Sequence, residues 1–116
     1  MPERIQTPTK KGSELASALI LTNNENWLLV QKGAEKLSHF PEEKNALDKL
    51  VDLTTNFNGI APLRKTALKS LNNFNQPELE DVYQKIIKNP LEDRMFIQQA
   101  KNNLDNFLKR KTGKEK

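Results

Sequence analysis

Cysteine is absent from this 116-residue chain. That excludes disulfides, thiolate metal sites and cysteine nucleophiles together, and it suits a reducing compartment, so the cytoplasm is the expected location. Histidine occurs once and glycine only four times. One imidazole cannot build a His-rich metal centre. Neither a Gly-rich phosphate loop nor G-x-S-x-G nor H-E-x-x-H is present, and no serine stands in a motif that would activate it through a base. No apolar run reaches the roughly 18–20 residues that span a bilayer, and MPERIQTPTKKGSE has no apolar stretch after its charges, so neither an anchor nor a secretory signal is expected. These gaps together predict a protein without metal or cofactor and without catalytic activity.

What is present suits one folded helical domain, with 35% hydrophobic and 29% charged residues. Heavy use of Lys and Asn with few Arg and Gly points to an AT-rich genome, microbial or viral. The net charge of +4 is unevenly placed. KRKTGKEK at 109–116 contributes all of it, leaving residues 1–108 neutral, and reads as a solubilising basic tail. Residues 1–12 hold two prolines, two threonines and no apolar periodicity, and read as an extended arm ahead of a single domain over 13–108.

ALILTNNENWLLVQKG at 18–33 admits two readings, a β-hairpin or two helices meeting at a turn. It resembles the opening strands of a Nudix hydrolase over about sixteen residues, a length in the range of one short hairpin. The family's G-x5-E-x7-R-E-x2-E-E pattern does not follow: counted from Gly33, the first Glu position is His39, and no Arg-Glu pair occurs in the chain. Leu and Ala outnumber β-branched residues in both runs, and no partner sheet is supplied elsewhere, so two helices are expected. The first runs from a Ser13 cap to about Leu21, with Leu15, Ala16, Leu19 and Ile20 on one side. The second is capped by Asn23 or Asn24, carries Trp27, Val30, Gln31, Ala34 and Leu37, and ends near His39 and Phe40.

Four further segments, 41–57, 62–74, 77–88 and 90–110, each open with a proline and align apolar residues at helical spacing. The expected fold is therefore all-α, a compact bundle of five to six short amphipathic helices. In the first turns of three of them stand acids: Glu42 and Glu43, then Glu78, Glu80 and Asp81, then Glu92 and Asp93, with Asn89 and Glu92 at capping-box spacing. The helix at 62–74 instead has Arg64 and Lys65 there, Lys69 one turn on, and Gly59 just before it. No acid occurs between Asp52 and Glu78. A cation at a helix start costs about 0.3–1 kcal/mol, and a bound phosphate or carboxylate would offset that. Gly59, Arg64, Lys65 and Lys69 are thus the candidate anion or partner site. The competing reading pairs Arg64 and Lys65 with acids of a neighbouring helix, such as Asp48 and Asp52, or leaves them pointing to water.

Trp27 serves either as a core anchor or as a candidate interface residue. His39 is expected to cap a helix C-terminus. The functional expectation is a non-enzymatic module that recognises a macromolecule, a protein partner first. The alternatives are an anionic lipid headgroup, a nucleic acid held by the basic helix and tail, or a protein-only inhibitor, immunity, adaptor or phage-type regulator with no anion site.

Overall fold

The structure is a computed structural model and describes residues 10–56 and 59–112, with side chains over 12–56 and 59–111. Six α-helices, and no strand, occur among the described residues: α1 Lys10–Leu21, α2 Trp27–Leu37, α3 Lys44–Thr55, α4 Ala61–Leu71, α5 Glu78–Lys88 and α6 Arg94–Thr112. The all-α expectation holds. The first nine residues of the expected arm lie outside the described residues, and its last three are the first residues of α1. The basic tail is helical through Thr112, and residues 113–116 lie outside the described residues.

Residues 18–33 are two helices, and local side-chain chemistry explains why. Thr22 Oγ1 donates to the Leu19 carbonyl at 2.7 Å as α1 ends. Asn24 Oδ1 accepts from the Asn26 amide at 2.8 Å, and Asn26 Oδ1 accepts from the Leu28 amide at 3.0 Å. The cap of α2 is therefore Asn26, two or three residues later than expected, because Asn24 is spent on the turn itself. The buried side of α1 also differs: Ala18, not Ala16, is buried, and Ile20 is 71% exposed. Gly33 sets this orientation. A Cβ on it would stand 2.8 Å from the Ala18 carbonyl oxygen and from Thr22 Cγ2, so α1 and α2 approach backbone to backbone.

Apolar residues at helical spacing from all six helices form one core cluster. In α6 the buried set Phe96, Ala100, Asn103 and Phe107 recurs every three or four residues. α4 lies at the centre, packed against α2, α3 and α6, and buries Leu63, Arg64, Ala67, Leu68, Ser70 and Leu71. Its C-terminal carbonyls, which an isolated helix leaves open, are filled by neighbours. Asn103 Nδ2 donates to the Leu68 carbonyl at 2.7 Å, the Tyr83 hydroxyl to that of Leu71 at 3.2 Å, and Arg110 Nη2 to that of Asn72 at 2.7 Å. Lys109 pairs with Asp105 and Lys111 with Glu80. The start of the expected solubilising tail is thus a working end of α6.

Candidate binding surface

The four residues expected to form one site fall on two sides of α4. Arg64 turns inward. Its guanidinium makes a two-pronged contact with the Glu92 carboxylate, Nη1 to Oε1 at 3.1 Å and Nη2 to Oε2 at 2.8 Å, while Nε donates to the Thr54 carbonyl at 3.1 Å. The two side chains are only 11% and 4% exposed. The cation also lies 4.3 Å from the centre of the Phe96 ring, within cation–π range. The wrong-signed charge at the start of α4 is therefore offset by an acid of the chain itself, from the turn before α6, and neither by Asp48 nor by Asp52. Gly59 belongs to the same packing: a Cβ there would meet the Asn56 carbonyl oxygen at 3.0 Å and Arg64 Cγ at 3.4 Å. It lets the chain run tight against the arginine stem rather than opening a path for a ligand.

The comparison among helix starts changes as well. Pro62 stands in the first turn of α4 and Pro77 caps α5, but Pro41 and Pro90 lie in turns ahead of α3 and α6. Only α5 carries acids in its first turn; α3, α4 and α6 carry none. The Asn89 and Glu92 capping box is replaced by Asp93, whose Oδ2 accepts from the Phe96 amide at 3.1 Å, which frees Glu92 for Arg64.

Lys65 and Lys69 turn the other way. They are exposed, one turn apart, and no ion pair engages either of them among the described residues. Both line a trough of about 380 Å³ between α2 and α6. Met95, 65% exposed, and Gln99 form its α6 wall; Gln31 forms its α2 wall and donates to Thr66 Oγ1 at 2.8 Å across the floor. Pro62 closes one end. Beyond Lys69 and Thr66 a shallower depression of about 260 Å³ continues to Glu35, Ser38 and Asn73. Periodicity alone misses Met95, which it assigns to an apolar stripe, because α6 is rotated to bury the face through Phe96, Ala100, Asn103 and Phe107.

The remaining candidates are dispersed. Trp27 is half-buried at the first position of α2 and lies outside the core cluster. His39 is exposed and does not cap α2; Ser38 does, its Oγ donating to the Glu35 carbonyl at 2.6 Å. No three His, Cys, Asp or Glu side chains among the described residues are grouped to hold a metal ion. No helix there is long and apolar enough to cross a membrane. Compared with known proteins, the chain matches no family model, no curated protein and no solved structure.

Proposed function

We propose that the protein is a non-enzymatic helical binding module, and that it recognises an anionic feature of a protein partner through Lys65 and Lys69 in the trough over α4. The observation that carries this reading is the pair of exposed lysines with no acid engaging them, set one turn apart above an exposed methionine and two amide side chains. Like charges at this spacing repel by about 0.2–0.5 kcal/mol, a cost that carboxylates of a partner would relieve. Gln31 and Gln99, each held by one amide hydrogen bond, to Thr66 Oγ1 and Asn103 Oδ1 respectively, keep a second N–H for a partner, and Met95 adds apolar contact to the charge. A cysteine-free chain is suited to act in the reducing cytoplasm.

The test is a titration of the protein with acidic peptides, inorganic phosphate, inositol phosphates and short oligonucleotides while backbone amides are followed by NMR. Acidic peptide should shift α4 and the facing parts of α2 and α6, and the double substitution Lys65→Glu, Lys69→Glu should abolish the effect. If the charge-reversed protein binds every probe as well as the parent does, the reading fails. A steep loss of oligonucleotide affinity with salt, together with shifts at Lys109, Arg110 and Lys111, would replace it by a nucleic-acid interface.

A further inference from the structure

Resting on that reading, we infer the form of the partner: the occupant of the trough is an acidic amphipathic helix of about three turns, lying along α4. The trough and its extension run from Pro62 to Asn73, which at 1.5 Å per residue is about 16 Å, the length of about eleven helical residues. A strip of helix surface flanked by two other helices is the shape into which a further helix packs, and such grooves read partners through anchors at i, i+3 or i+4, and i+7.

The chemistry changes along the trough, which gives the occupant an order. At one end Pro62 and exposed Met95 offer apolar surface. In the middle Lys65 and Lys69, whose Cβ atoms lie about 6 Å apart on one helix face, match two carboxylates at i, i+4 on the facing helix. At the far end Glu35 joins Lys69, beside Ser38 and Asn73, and adds a place for a cation. Read from Pro62 toward Asn73, the occupant therefore presents an apolar side chain, then two acids one turn apart, then Lys or Arg. A free phosphate fits this less well, since a point anion leaves Met95 and the second lysine unused. A nucleic-acid strand would bring a phosphate against Glu35.

The experiment uses the full chain and a synthetic peptide of about 16 residues, long enough to hold partial helix, containing one Leu, Glu at i and i+4, and Lys in the last turn. Its controls are a peptide of the same composition with the two Glu on opposite faces, and one ending in Glu instead of Lys. Binding is measured by calorimetry and located by amide shifts. The expected results are shifts confined to α2, α4 and α6, affinity weaker by about ten-fold for either control, equal to ~1.4 kcal/mol, and several-fold weaker binding after Met95→Gln. Glu35→Lys should invert the preference between the Lys-ending and Glu-ending peptides, an outcome that misfolding cannot imitate. Equal binding of the matched and split-face peptides, with shifts still at Lys65 and Lys69, would overturn the helical occupant while leaving the anionic-partner reading standing. No shift at the two lysines with any acidic probe would overturn both. Asp48 and Asp52 line an acidic surface with Glu78 and Asp81, so concentration-dependent self-association in sedimentation, removed by Asp48→Lys, Asp52→Lys, would overturn it in favour of a second copy of this chain.

Discussion

The inner and outer sides of α4 carry cations of the same sign in opposite circumstances. On the inner side Arg64 is buried with Glu92, the Thr54 carbonyl and the Phe96 ring. On the outer side Lys65 and Lys69 stand in the trough with no ion pair among the described residues. Burying a charge is costly unless it is paired and its donors are filled, and the inner side meets that condition. A surface charge has no such requirement, so the outer pair can stand in water without an acid beside it. The residue types suit this division: a planar guanidinium suits a two-pronged buried contact, whereas a lysine on a flexible stem suits an exposed one.

The comparison breaks most sharply at Glu92. Removing it in Glu92→Ala strands a buried cation and should lower stability by about 3–5 kcal/mol in urea denaturation. The paired replacement Arg64→Met, Glu92→Leu should restore much of that loss, because no unpaired charge remains. At the opposite end of α4, Asn103→Ala leaves the Leu68 carbonyl without its donor and opens a small cavity, for an expected loss of about 2 kcal/mol. Gly33→Ala forces α1 and α2 apart and should cost about 1–3 kcal/mol, read from the same denaturation curves.

Tyr83 gives the inner side a pH signature. Burial raises its hydroxyl pKa to about 12, against the smaller opposing effects of its hydrogen bond with Asn103 and of nearby Arg110. In the unfolded chain the phenol ionises near 10. Stability from this group is therefore complete below pH 10 and falls as pH rises from 10 toward 12, where the unfolded state alone has lost the proton. Ultraviolet absorbance follows the chain's single tyrosine directly. The smallest effect on stability belongs to the outer side: Lys65→Glu, Lys69→Glu should change it by less than about 0.5 kcal/mol while removing binding of acidic peptide. A large loss of stability from that pair would erase the distinction between the two sides.

Helix content was legible in the chain because apolar residues recur at 3.6-residue spacing in every segment, and that signal is local. Boundaries were less so. Asn23, Asn24 and Asn26 are equivalent as caps on composition, and Asn26 takes the role only because Asn24 closes the turn before it. The same ambiguity hid Asp93 behind Asn89 at the start of α6. Of the candidate site, Lys65 and Lys69 were readable as uncompensated charge within a stretch lacking acids. Arg64 looked identical to them, since its partner lies 28 residues further on. Met95 and Gln99 carried no signal of their own, because their place in the trough depends on how α6 is rotated against α4.

The order of residues by itself settled that this chain coils into helices, since each backbone hydrogen bond in a helix joins near neighbours and each apolar stripe is written within one segment. Tertiary structure alone decided which cation is inside and which is outside. Solvation of a charge depends on what stands within a few ångströms in space, and for Arg64 and Glu92 that neighbour comes from a distant part of the chain.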